Sequence, residues 1–157
     1  MEVFVAFLCA LILGGIAGLR SMLAPAAVSW AAWLGILHVE DTPLAFMNYR
    51  YTHLILTVCA LGELVADKTS FIPSRKSPPS FIFRIVSGAV CGATIGASVH
   101  RLVLGLLLGM AGAVAGTLGG YAARAKLAAL FGRDLPAALL EDVSALVITC
   151  LCLLALK

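Results

Sequence analysis

Apolar runs follow one another along this chain with little polar sequence between them, and that succession restricts it to folds that meet lipid. Residues 3–19 carry no charge and end at Arg20 and Ser21, and a second run, 22–37, follows at once. Further runs cover 51–66, 81–99, 102–123 and 138–156. A helix spanning a bilayer needs about 20 apolar residues, and helices satisfy their backbone polar groups internally, as a lipid environment demands. Charged residues make up 12 % of the chain, against about 25 % in a soluble domain, too few to cover a water-facing surface. The expectation is an all-α, polytopic integral membrane bundle of about five spans. It forms a single transmembrane domain over residues 1–157 with almost nothing outside the bilayer.

The first region leaves two readings open. Runs 3–19 and 22–37 are short for spans, and Pro25 cannot donate an internal helical bond and crowds the preceding turn. They form either two short spans or one element broken at Arg20–Pro25. Met1-Glu2 is acidic where a secretory leader is basic, so the first run reads as a mature helix. The sequence PSRKSPPS, residues 73–80, cannot be helix interior and reads as a loop. In residues 124–136, Leu127, Leu130 and Phe131 share one face between charged residues, the pattern of a short interfacial helix.

Basic residues set the expected orientation. Lys68, Arg75, Lys76 and Arg84 cluster around one loop, and Arg124, Lys126 and Arg133 lie two spans later, hence on the same side. That side is expected to be cytoplasmic, with the C-terminus outside, against a minor exception at Arg101. The side of the N-terminus depends on whether the first region is one span or two. The net charge of +3 is too small to imply nucleic acid, which asks for a basic face. Cys9, Cys59, Cys91, Cys150 and Cys152 all lie in apolar runs and read as small buried hydrophobes. His38, His53 and His100 match no metal-ligand spacing, and neither a metal nor a cofactor is expected.

Glycine gives the clearest periodicity. Gly88, Gly92 and Gly96 recur every four residues, as do Gly112, Gly116 and Gly120. Ridges of this kind let helices approach closely in lipid, where no hydrophobic drive brings them together. The expected use is packing of span 81–99 on span 102–123. Ionisable residues in or beside spans form the other signal: Arg20, Glu63, Asp67, Glu141 and Asp142. A charge at mid-bilayer costs about 2.5 kcal/mol or more and marks a functional site by default. Glu63 and Asp67 are four apart and share a helix face. The expectation is that Arg20 approaches Glu63 beside a polar cavity, which Glu141 and Asp142 enter from the last helix. The bland alternatives are a helix-packing salt bridge for Glu63 and acids placed to suit a helix N-terminus for Glu141 and Asp142.

GLRSMLAPAAVSWAA (18–32), GELVADK (62–68), PSRKSPP (73–79), GAVCGA (88–93) and LEDVSALV (140–147) together resemble the bacterial membrane family catalogued as domain of unknown function 4126. The resemblance covers nearly the whole chain. The family's characteristic charged positions match Arg20, Glu63, Asp67, Lys68, Arg75, Glu141 and Asp142. No activity is attached to that family, so the resemblance implies a fold class and a residence in the bacterial cytoplasmic membrane more than a chemistry.

An internal duplication is compatible with the order of elements. A glycine-rich stretch ending in a base (14–20, then 112–124) is followed later by a run with paired acids (Glu63 and Asp67, then Glu141 and Asp142). Opposed halves of this kind occur in transporters. The leading expectation is therefore transport of a small ion or polar solute past Arg20, Glu63, Asp67, Glu141 and Asp142. A homodimer would supply the width that one short chain lacks. Two other roles stand beside it. One is an accessory protein that packs on a partner through its glycine ridges. The other is a lipid-headgroup enzyme in which Lys68, Arg75 and Lys76 face the phosphate.

Overall fold

The computed structural model describes residues 2–66, 78–132 and 134–157. Among them are six α-helices and no strand: α1 (Val3–Leu19), α2 (Leu23–Trp33), α3 (Thr52–Ala66), α4 (Pro78–Ser98), α5 (Leu102–Phe131) and α6 (Asp134–Leu156), with a 3-10 turn at Ala45–Asn48. Helices α4, α5 and α6 are long and apolar enough to cross a membrane, while α1 and α3 are apolar but shorter. Large hydrophobic side chains such as Phe4, Val58, Val103, Leu130 and Leu154 face outward.

Small residues set the centre of the bundle. A Cβ added at Gly92 would meet the Gly105 carbonyl and the Gly109 backbone, and one at Gly96 would meet Arg101 and Gly105. Gly88 faces Gly109 and Ala113. Rising numbers on α4 thus oppose falling numbers on α5, and the two helices run antiparallel with backbones in contact. On another face of α5, Gly112 lies against Leu11 and Gly15, and Gly116 against Gly15. Gly14 meets Gly109 and Gly18 meets Ala113 and Thr117, so α1 runs parallel to α5. The α5 glycines therefore serve two partners. Gly105 and Gly109 meet α4; Gly112 and Gly116 meet α1, not the α4 neighbour that periodicity suggested.

These directions gather the end of α1, the start of α4 and the start of α6 at one end of the bundle. At the other end, Cys9 of α1 donates from its thiol to the Cys152 carbonyl of α6. There His53 at the start of α3 is buried between Trp30 and Trp33 of α2, with ring centroids 4.4 and 4.7 Å away.

Several boundaries differ from the sequence reading. The first region is interrupted at Arg20–Met22, where Arg20 is extended (φ −134°, ψ 105°). Pro25 falls in the first turn of α2, where its missing N–H costs nothing. Helix α2 ends at Trp33 and not near 37; the chain then turns through Gly35 (φ +73°), a left-handed conformation that glycine adopts without strain. No separate interfacial helix occupies 124–136. Instead α5 continues unbroken to Phe131 and stops at Gly132, again left-handed (φ +64°). At about 45 Å long, α5 exceeds a hydrocarbon core of about 30 Å, which explains why its last turns read as amphipathic. Cys9, Cys91 and Cys152 are buried, whereas Cys59 and Cys150 are exposed on outward-facing helix surfaces, contrary to the expectation for all five.

Candidate functional site

The interruption between α1 and α2 is the local fact from which the site grows. A helix end leaves carbonyls without partners, and a helix start leaves N–H groups without partners. Both kinds occur here within a few residues, inside the bundle. At about 1.5 Å per residue, Arg84 lies about 9 Å inside the start of α4, and Asp142 about 12 Å inside the start of α6.

Several of these groups find a side chain. The Arg84 guanidinium donates from one nitrogen to the Gly18 carbonyl at 2.8 Å and the Leu19 carbonyl at 2.7 Å. The Thr117 hydroxyl on α5 lies 3.2 Å from the Gly18 carbonyl as well, with its single proton shared with the nearer Ala113 carbonyl at 2.8 Å. Across the break, Glu63 of α3 accepts from the Ser21 N–H at 2.8 Å, the Ser21 hydroxyl at 2.7 Å and the Met22 N–H at 2.8 Å. The Ser87 hydroxyl donates to the Ser21 carbonyl. A cation thus sits at the carbonyl end of one helix and an anion at the N–H end of the next, the arrangement helix dipoles favour. The two capping groups approach each other, Arg84 Nη2 to Glu63 Oε1, at 3.9 Å.

Arg20 occupies the break itself and is 1 % exposed. Its Nε donates to Asp142 Oδ1 at 2.7 Å, and Nη2 also contacts that oxygen. The sequence reading brought Arg20 to Glu63; the partners of Glu63 are instead Ser21, Met22 and Arg84. The Arg20–Asp142 pair opens on a cavity of about 150 Å³ that Leu23, Leu64, Val143 and Leu146 complete.

Glu141 and Asp142 part company. Successive residues on a helix point about 100° apart. While Asp142 turns to Arg20, Glu141 faces a larger cavity between α1, α5 and α6 and lies 3.7 Å from Arg124. The structure therefore joins Arg20 to Asp142 and sets Glu141 apart from them. Asp67, Lys68, Arg75 and Lys76, also expected at the site or at its headgroup-facing edge, lie outside the described residues. Of the glycines singled out, Gly116 and Gly120 line the larger cavity.

Sequence reasoning overlooked Arg84, which it counted with the loop charges; the residue is 5 % exposed. A signal was present. Ser80, Arg84, Ser87 and Gly88 recur at helical spacing and mark one polar face on an otherwise apolar helix. Ser21 and Thr117 carried no comparable signal. Among the described residues no group of three His, Cys, Asp or Glu is placed to hold a metal ion.

The arrangement is that of an apolar helical bundle in which α1 and α2 run in opposite directions and meet at a tight turn, with the helix ends on both sides of the turn held by buried or part-buried ionisable side chains. A family model described as a domain of unknown function (DUF4126) matches residues 7–155, and the chain belongs to that family. Neither a curated protein nor a solved structure matches it.

Proposed function

We propose that this protein is a polytopic protein of the bacterial cytoplasmic membrane that moves a small ion or polar solute past the α1–α2 break. One observation carries the reading. Glu63 and Arg84 hold the backbone on the two sides of the tight α1–α2 turn within the bundle, beside the Arg20–Asp142 pair. Irregular backbone at membrane depth persists only where protein buries it or a wet cavity meets it. Helix ends that lie at membrane depth and face solute or coupling ion recur in secondary transporters, and the α1–α2 turn places two such ends together. In this reading the carboxylate of Glu63 and the guanidinium of Arg84 hold the backbone groups of the break in the resting state. A passing ion takes over one of those contacts, and the released side chain pairs elsewhere in the layer. A symmetric dimer supplies the width that one chain lacks. The opposed arrangement of the two halves that the sequence order suggests belongs to this proposal too.

Flux per folded protein in liposomes tests it. A panel of monovalent cations, monovalent anions and small zwitterions is offered to wild type and Glu63→Gln. The expected result is flux of at least one class by wild type and its loss in Glu63→Gln at equal folded content. Full specific flux in Glu63→Gln would reduce Glu63 to a helix cap and sink the reading.

A further inference from the structure

The second cavity lies on a different side of the bundle and is not used by the break. Helices α1, α5 and α6 splay around a space of about 600 Å³. Its shaft is apolar, with Ile12 and Ile16 from α1 and Ile148 from α6, while its charged lining residues, Arg124 and Glu141, stand together at one end. The α5 residues that line it run from Ala115 to Leu127, a length of about 18 Å along the helix. Small α5 residues create the depth. Gly116 packs on Gly15 at the floor, but a Cβ at Gly119 would meet nothing within 4 Å. The chain thus leaves a long apolar groove unfilled and sets a guanidinium at its mouth.

Charge decides between occupants. Residues 124–141 carry Arg124, Lys126 and Arg133 against Asp134 and Glu141, a net charge of +1. A second copy docking here in a symmetric pair would bring the same basic end against itself. An anionic headgroup meets the opposite sign. Arg124 stands 3.7 Å from Glu141, and a guanidinium with five donors in a planar fork bridges a carboxylate and a phosphate together. The basic end is also the one that charge bias assigns to the cytoplasmic leaflet, where anionic lipids reside.

We propose that the α1–α5–α6 groove binds an anionic glycerophospholipid, with an acyl chain along the apolar shaft and the phosphate on Arg124. This rests on membrane residence and not on transport, so it stands or falls separately from the flux result.

The test uses delipidated full-length protein in detergent and follows its Tm on adding phosphatidylglycerol, phosphatidylcholine with the same acyl chains, or inorganic phosphate. Phosphatidylglycerol is expected to raise Tm more than phosphatidylcholine, and inorganic phosphate not at all. Arg124→Gln is expected to bring phosphatidylglycerol down to the phosphatidylcholine response, an apparent affinity about tenfold weaker for one lost charge-assisted contact. Gly119→Leu projects into open space, so the lipid-free Tm should hold while the response to both lipids disappears. If Gly119→Leu lowers the lipid-free Tm, the Arg124→Gln comparison decides alone. Equal responses to the two headgroups, an equal shift with inorganic phosphate, or a full phosphatidylglycerol response in a folded Gly119→Leu overturns the site. Conversion of a dimer to a monomer by Gly119→Leu with the lipid response intact assigns the groove to a second copy and overturns it too.

Discussion

Glu63 and Ser21 are joined twice: the backbone N–H and the hydroxyl of Ser21 both donate to the same Glu63 oxygen, at 2.8 and 2.7 Å. The other oxygen takes the Met22 N–H. A residue distant in sequence therefore caps the start of α2 through both of its carboxylate oxygens, and the geometry of the α1–α2 break depends on α3.

Glu63→Gln tests that dependence as stability. Glutamine keeps one accepting oxygen and replaces the other with an NH2 that only donates. Either the Ser21 pair or the Met22 N–H then faces a donor. A buried N–H left without a partner costs about 1–3 kcal/mol. Thermal unfolding in detergent is expected to show that loss, with a larger one for Glu63→Ala. Unchanged melting in both variants would show that the cap does not hold the break.

Backbone contact at the glycines gives a second expectation. A methyl at Gly92 falls on the Gly105 carbonyl, and one at Gly116 on the Gly15 carbonyl, with no flexible side chain able to yield. Gly92→Ala and Gly116→Ala are each expected to lose about 1–3 kcal/mol through overpacking. Gly62 supplies the contrast, since a methyl there meets nothing within 4 Å. Gly62→Ala is expected to be neutral or up to about 1 kcal/mol more stable, from helix propensity alone. Equal effects at the three positions would remove the claim that α1, α4 and α5 touch through backbone.

The class of fold was legible because it depends on apolar run length, a local property. The interruption near Arg20 was legible too, though its place was shifted: Pro25 lies in the first turn of α2, and the chain leaves the helix at the extended Arg20. Partners were harder to read. Arg20 had four acids within plausible reach, Glu63, Asp67, Glu141 and Asp142, and the rotation of α6 decides that Asp142 meets it while Glu141 faces Arg124. Arg84 was hidden by its closeness to a basic loop. Charge bias averages over a segment and does not separate a solvated base from one turned inward to the Gly18 and Leu19 carbonyls. Glycine spacing likewise announced close approach without saying that one helix, α5, meets α4 on one face and α1 on another.

Helix direction gives a topological expectation that the sequence left open. Because α1 runs parallel to α5, the N-terminus lies at the end of the bundle opposite Gly132, with the C-terminus beside it. In a cysteine-free background, Glu2→Cys and Lys157→Cys are expected to react with an impermeant thiol reagent added outside intact cells. Gly132→Cys is expected to react only after the membrane is opened. Labelling of Glu2→Cys and Gly132→Cys from the same side would contradict the parallel arrangement of α1 and α5.

The Arg20–Asp142 pair is the sharpest test of the break as a built feature. Arg20 is almost wholly buried, and the Asp142 side chain is 14 % exposed, so screening by solvent is weak. Removing one member leaves the other charged in a poorly hydrated place, a loss of about 3–5 kcal/mol for a buried pair. Arg20→Met and Asp142→Leu are each expected to lower Tm strongly. The double variant removes both charges and fills the volume with apolar atoms, which such sites tolerate. It is expected to recover stability relative to either single variant, with a coupling of about 1–3 kcal/mol in a double-mutant cycle. The flux reading adds a second readout. If the layer at the break serves transport, the double variant folds but carries no solute, because Glu63 and Arg84 remain while the pair beside them is gone. If the pair serves only to hold α6 against the break, recovery of stability brings recovery of flux. Additive losses in the cycle would show that Arg20 and Asp142 do not act as a pair at all.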